Sequence, residues 1–311
     1  MAIIKTIANK KSSDSSNAST GKKGNQILFG TPLHLIRLKR GTIIPKTTDI
    51  NLAYFQGLVQ TGVAIPLMGA TSFERLSAEN GLSTTSGGIE TLNLKGLTKY
   101  KLMFQEGHEF YRQMSRLTAY KQSDYILGDD EGNIKIAVNS NGDYVGFTAG
   151  QEIAEGTMEK VQGGDPESKA FTVQFLNTKQ FDLNYAVITS AELGFDLNEY
   201  EGANPVNLSF SAVPANLETT LVMKAVLAAD NDTFVEGTAI TNYRVLVDGV
   251  PNTVTGVADD VANKTVTLTV TAVTTGAVVT VEFWDATAVK PIIILSEVIY
   301  SSEQVSETVV V

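Results

Sequence analysis

The stretch KTVTLTVTAVTTGAVVTVEF (Lys264–Phe283) decides the fold class. Val266, Leu268, Val270 and Ala272 point to one side, and Thr265, Thr267, Thr269 and Thr271 to the other. That is the period-2 alternation of a half-buried strand, written in residues that favour extended backbone. Thr274–Gly276 turns the chain, and Ala277, Val279, Val281 and Phe283 then alternate back. The same Val/Thr texture extends in both directions from about Gly202 to the end. It predicts strands at 206–213, 218–228, 241–248, 251–257, 264–273, 277–284 and 290–299, with a helical turn near Leu221–Leu227 as the one competing period. Asp248-Gly249, between VLV and VPNTV, is a hairpin turn. About seven strands in about a hundred residues match an immunoglobulin-like sandwich. The terminal SEQVSETVVV is β-prone and suited to pair with a sheet edge of its own domain or of a neighbour.

Toward the N-terminus the texture is mixed. Tyr100, Leu102 and Phe104 alternate as a strand, then Phe110, Tyr111, Met114 and Leu117 switch to one face of a helix of about a dozen residues after Gly107. Strands resume at Tyr125–Leu127, Ile134–Val138, Tyr144–Phe147, Thr157–Val161 and Ala170–Leu176, with GDDEGN (128–133), NSNGD (139–143) and QGGDPES (162–168) as turns and loops. Asp49 is placed to cap a short helix through Gln60. Leu33, Leu35 and Ile36, interleaved with His34 and Arg37, read as a partly buried strand ending in RLKR (37–40). The expectation is therefore a mainly β chain: a flexible basic arm at 1–26, and a β-sandwich or partly open barrel with one flanking helix at 27–202. An Ig-like β-sandwich follows at 203–311.

Charge is distributed unevenly. Residues 1–50 hold nine Lys and Arg against two acidic residues, whereas the chain as a whole has 24 basic and 34 acidic side chains. Residues 9–26, NKKSSDSSNASTGKKGNQ, bury too little apolar area to offset the entropy of ordering, so the isolated arm is expected to be disordered. Three readings of the arm arise: nucleic-acid contact, a solvating tail, or a segment that orders along the acidic surface of a neighbouring copy. Aromatic side chains for base stacking are missing, and an acidic body disfavours phosphate binding, which leaves the third in front. Lys10, Lys11, Lys22, Lys23, Arg37, Lys39 and Arg40 are its candidate assembly contacts, helped by the loops at 80–90 and 162–168.

Chemistry has few places to reside. With no cysteine there is no disulfide, thiolate metal site or thiol nucleophile. The two histidines, His34 and His108, come without a ligand set or a catalytic partner motif. Around Asp129-Asp130-Glu131-Gly132 the EF-hand frame fails, because Leu127 and Val138 occupy positions that need carboxylates. Ser86-Gly87-Gly88 and Gly163-Gly164-Asp165 lack the phosphate-loop frames, and no GxSxG elbow occurs. No cofactor or metal is implied and the chain reads as non-enzymatic. No apolar run reaches membrane-spanning length, and Ala2-Ile3-Ile4 is too short for a signal-peptide core, so synthesis in the cytoplasm is expected.

A β-sandwich body with one flanking helix (GHEFYRQMSRLTAY, 107–120) and mobile termini, followed by a Val/Thr-rich Ig-like domain (206–311), resembles the structural proteins of tailed-bacteriophage virions, tail-tube proteins in particular. The resemblance is architectural and includes no specific motif. It implies a self-assembling homo-oligomer that contacts copies of itself and other virion proteins through arm, loops and sheet edges. Specific nucleic-acid recognition and membrane contact are not implied. The long Lys/Ser-rich N-terminus departs from that pattern and leaves head-decoration, fibre and neck positions open. A cell-surface adhesin or carbohydrate-binding protein, using the Ig-like domain, is the alternative.

Overall fold

The computed structural model describes residues 29–76, 81–84, 90–94, 97–155, 167–287, 289–296 and 298–311. The arm, the strand expected at 157–161 and most of the two long loops lie outside the described residues. The chain divides into two compact units, the first ending at Glu201 and the second comprising Gly202–Val311. It is mainly β, as its alternating apolar pattern requires.

Unit 1 contains, in chain order, β1 (Pro32–Lys39), β2 (Ile43–Ile44), α1 (Leu52–Gln60), β3 (Ala64–Leu67), β4 (Ser72–Arg75), β5 (Gly81–Thr84), β6 (Glu90–Leu94) and β7 (Lys99–Phe104). Then come α2 (His108–Ser115), β8 (Ala119–Tyr120), β9 (Ser123–Asp129), β10 (Ile134–Val138), β11 (Tyr144–Val145), β12 (Phe147–Ala154), β13 (Lys169–Phe175), α3 (Thr178–Asp182), β14 (Tyr185–Ile188) and α4 (Ser190–Leu193). One curled sheet, a half-barrel, runs β2-β11-β10-β9-β12-β13-β7-β4. β1 pairs antiparallel with both β3 and β9, and β14 with β10. Leu35, Tyr125, Phe147, Phe171 and Phe175 fill the inner face, and Tyr111 and Met114 of α2 are buried with them. The Tyr111 hydroxyl accepts from Glu106 N–H and donates to the Glu167 carbonyl, both at 2.8 Å, which pins the helix to the barrel.

Two local expectations change in detail. α2 spans eight residues rather than a dozen, because after Arg116 the chain needs to reach the short strand at Ala119. α1 is capped by Asn51, whose side chain accepts from Tyr54 N–H at 2.9 Å, and not by Asp49. The short α3 and α4 were not anticipated; each is under two turns, too brief for a 3.6-residue period to register.

Unit 2 contains β15 (Asn204–Phe210), β16 (Thr220–Leu227), β17 (Tyr243–Val247), β18 (Val250–Asn252), β19 (Val254–Asp260), β20 (Thr265–Val270), β21 (Val278–Phe283), β22 (Ile292–Leu295), β23 (Val298–Ser302) and β24 (Val305–Thr308). Two sheets form, in the orders β19-β20-β16-β15-β23-β22 and β18-β17-β21-β24. Val266, Leu268 and Val270 of one sheet and Val279, Val281 and Phe283 of the other share one buried core, as the alternation predicts. The turn at Thr274–Gly276 does not close a hairpin, however. β20 and β21 lie in different sheets, so this segment carries the chain across the sandwich. Thr220–Leu227 is a strand throughout: Leu221, Met223 and Ala225 are buried alternately, and pairing on both edges overrides the local helical period. Asp248-Gly249 forms the expected hairpin with φ of 50° and 78°, the left-handed pair that a type I′ turn requires. The terminal strand pairs within its own unit, β24 against β21.

Candidate functional site

The basic end of β1 is the most developed polar feature of unit 1. β1 is held between two strands in register, Arg37 opposite Ile65 on β3 and Tyr125 on β9. Period 2 then sets Leu35, Arg37 and Lys39 on one face, with Leu35 in the barrel core and Lys39 exposed. The strand ends in a turn in which Thr42 N–H donates to the Lys39 carbonyl and Gly41 takes φ 78°, a left-handed conformation that glycine adopts without cost.

Arg37 does not project freely. Its Nε donates to Glu152 Oε2 at 2.8 Å, and the Tyr125 hydroxyl donates to the same oxygen at 3.0 Å. Glu152 has no exposed surface, and its Oε1 has no hydrogen-bond partner among the described residues. Burial, reinforced by the Glu152 charge, raises the Tyr125 hydroxyl well above its ordinary range, so it remains a proton donor. The Arg37 guanidinium, expected as an assembly contact, pairs with a buried carboxylate of its own unit. Arg40 donates from Nη1 to the Ala149 carbonyl at 3.0 Å. Asp124 beside it accepts from Gly41 N–H at 2.8 Å. Burial raises the Asp124 carboxyl, and the Gly41 hydrogen bond, the Arg40 charge and Thr148 offset part of that rise. Gly146 permits this packing, since a Cβ there would sit 2.7 Å from Tyr125 N.

Arg37, Lys39 and Arg40 line a surface depression of about 410 Å³ together with Gly62, Val63, Ile65 and Gln122. Among the described residues, none of those lining it is acidic. Lys39 is exposed and has no side-chain partner among the described residues. The three basic candidates of the strand end are thus brought together, whereas Lys10, Lys11, Lys22 and Lys23 lie outside the described residues. Glu152 and Tyr125 were missed by sequence reading. The signal for Glu152 was its place as the one charged residue of the run FTAGQEIA (147–154).

The remaining candidates resolve into structural roles. His34 is buried and its Nδ1 accepts from Gly69 N–H at 3.0 Å. Burial lowers its pKa despite Asp196, Asp129 and Asp130 nearby, so the imidazole is a neutral acceptor. His108 is exposed at the start of α2, 3.7 Å from Glu167. In the GDDEGN turn, both Asp129 oxygens are occupied by protein donors: Glu131 and Asn133 N–H on Oδ1, Gly30 N–H and Asn133 Nδ2 on Oδ2. A carboxylate so saturated folds the turn rather than presenting ligand oxygens. Among the described residues no group of three or more His, Asp or Glu is placed to hold a metal ion.

A second cation on the inner side of unit 1 is held differently. Lys135 Nζ lies over the rings of Tyr185, Phe181 and Phe29 at 4.2, 5.6 and 5.9 Å. Burial and the charge of Arg75 bring its pKa down to about 8, although the ring faces favour the cation. In unit 2, the Arg244 guanidinium stacks 3.4 Å from the ring centroid of Trp284 and pairs with buried Glu282, whose Oε1 also accepts from Gln304.

Comparison with known proteins places one segment. Residues 205–288, entirely within unit 2, match the family described as "Putative flagellar system-associated repeat" (SWM_repeat). No curated protein matches the chain. A β-rich repeat at this position agrees with the sandwich seen in unit 2.

Proposed function

We propose that this chain is a non-enzymatic structural subunit of a surface appendage or of a comparable extended assembly, and that it works by association with copies of itself. The observation that carries this reading is the match of the Ig-like unit to a repeat associated with flagellar systems. Three features support it. The body is a curled sheet, the carboxylate of Asp129 and the imidazole of His34 are held in folding contacts, and a basic depression is exposed on an acidic chain. The narrower form of the proposal is a virion component of a tailed bacteriophage, such as a tail tube or a head- or neck-associated protein, made in the host cytoplasm. The basic arm, residues 1–26, then contributes a second contact between copies.

Sedimentation velocity and negative-stain microscopy of the purified full chain test the proposal. Concentration-dependent oligomers, rings or fibres are expected, and deletion of residues 1–26 weakens them. A chain that remains monomeric at every concentration and salt overturns it. The genes next to this one separate the narrow form from the broad: capsid, portal and tail genes support a virion, and flagellar genes a cellular appendage.

A further inference from the structure

One end of unit 2 is unusually apolar for an exposed surface. Four segments meet there through backbone hydrogen bonds. Leu217 N–H donates to the Val273 carbonyl, Val310 N–H to Pro214, Gly276 N–H to Val309, and Asp248 N–H to Val278. These segments follow β15, follow β20, form the β17–β18 hairpin and follow β24, so they crown the sandwich at the end opposite to where the chain enters at Gly202. The end displays Val213 (47% exposed), Leu217 (69%), Val250 (65%), Val278 (41%) and Val310 (48%). Scattered exposed apolar residues are ordinary; five large ones gathered on one end mark an interaction surface.

Leu217 adds a second, independent sign. Its φ is 62°, a left-handed conformation that costs an L-residue with a Cβ roughly 1–2 kcal/mol. A leucine there gains nothing from burial in its own unit to offset that cost, because its side chain is mostly in solvent. Strain and exposure combined at a loop tip point to a group held ready for a contact.

Charge selects the partner. Unit 2 holds twelve acidic and four basic side chains, Lys224, Arg244, Lys264 and Lys290. Two of the four are paired away from the apolar end, Arg244 with Glu282 and Lys264 with Asp232, and Lys290 sits in a backbone β-bridge with Asp285 beyond the other end of β21. Lys224 faces Thr265, beside the turn that carries Lys264. At the apolar end the carboxylates of Glu218 and Asp248 accept backbone N–H groups of Ala215 and Val278, with no cation facing them among the described residues. The end is therefore apolar and acidic. The depression of unit 1 has the opposite character, with Val63 and Ile65 in its wall, Lys39 and Arg40 on its rim, and room for a side chain the size of leucine.

We propose that the apolar end of unit 2 docks into the Arg37–Arg40 depression of unit 1 in a second copy of the chain, with Leu217 as the inserted side chain and Lys39 and Arg40 facing Glu218 and Asp248. The two patches differ, so the contact is head-to-tail and a pair of copies keeps one free patch of each kind, the requirement for an open fibre or a closed ring. This inference rests on the self-association proposed above and names the surfaces that perform it.

The test uses two full-length variants, each first shown to be folded by circular dichroism. Lys39→Glu/Arg40→Glu spoils the depression. Leu217→Asn/Val310→Ser spoils the apolar end while suiting the left-handed backbone, which asparagine tolerates. Each variant alone is expected to associate at least about tenfold more weakly than wild type, on the scale of losing a central interface anchor. Mixed together they are expected to form a 1:1 dimer that grows no further, because each supplies the one patch the other lacks. If wild type assembles and both variants assemble equally well, or if the mixture yields no dimer, the pairing is wrong and the structural role stands. Wild type that stays monomeric overturns both, including the case in which the depression takes an unrelated acidic peptide.

Discussion

Replacing Arg37 by methionine removes the cation that neutralises Glu152 and keeps most of the aliphatic volume. The geometry fixes the size of the effect. Glu152 is fully buried, Arg37 Nε lies 2.8 Å from its Oε2, and Arg37 itself is only 17% exposed, so the pair is shielded from solvent. Breaking a buried pair by removing one partner costs roughly 3–5 kcal/mol, since the remaining charge stays desolvated. The Tyr125 hydroxyl at 3.0 Å is the one donor left to that oxygen. For a unit of this size each kcal/mol moves the melting temperature by about 2–4 °C, so a drop on the order of 10 °C is expected. The two units provide an internal control. The single tryptophan, Trp284, lies in unit 2, so its fluorescence follows that unit, while far-ultraviolet circular dichroism follows both. Arg37→Met should lower the dichroism transition of unit 1 and leave the fluorescence transition in place. Arg37→Met/Glu152→Gln should recover at least half of the loss, because the amide carbonyl still accepts from Tyr125 and no charge is buried. A single variant that melts within a degree of wild type, or a double variant no better than the single, would refute the assignment.

Three further outcomes are expected. Arg244→Ala removes both the ion pair to buried Glu282 and the stack on Trp284, and should destabilise unit 2 by about 2–3 kcal/mol with a change in Trp284 emission. His34 has a folded-state pKa below its unfolded value of 6.5, so the unfolded chain binds the proton more readily. The stability it contributes is present above about pH 6.5 and lost as pH falls toward the folded-state value. Urea midpoints measured between pH 8 and 5 should decline, and less so in His34→Gln, which has no proton to take up. Leu217→Gly relieves the positive φ and should raise the stability of unit 2 by about 1 kcal/mol, seen in the Trp284 transition, while self-association weakens. Stability and assembly moving in opposite directions is the signature of strain kept for a contact.

The strands were legible because their cause is local. Val266, Leu268 and Val270 are buried at every second position, and nothing beyond their own segment is needed to see it. Asp248-Gly249 was legible for the same reason, as a left-handed pair between two strands. What could not be read was set by partners far along the chain. Thr274–Gly276 turns the chain in either topology, and whether β21 returns to the same sheet depends on β17 and β24. Arg37 looked like a free basic residue because its partner lies 115 positions away. Glu152 looked like one acidic residue among many for the same reason. The apolar end of unit 2 was equally hidden, since Val213, Leu217, Val250, Val278 and Val310 belong to separate segments that only the sandwich gathers. The lysines of the arm were singled out by composition, and their contribution is a matter for the truncation experiment.

The central claim, that this chain functions by binding copies of itself, is most directly tested by sedimentation velocity of the full-length protein across a wide concentration range at low and high salt. The account predicts species larger than the monomer whose population rises with concentration and falls with salt, because acidic and basic surfaces meet in the contact. A single monomeric species under all these conditions would contradict it.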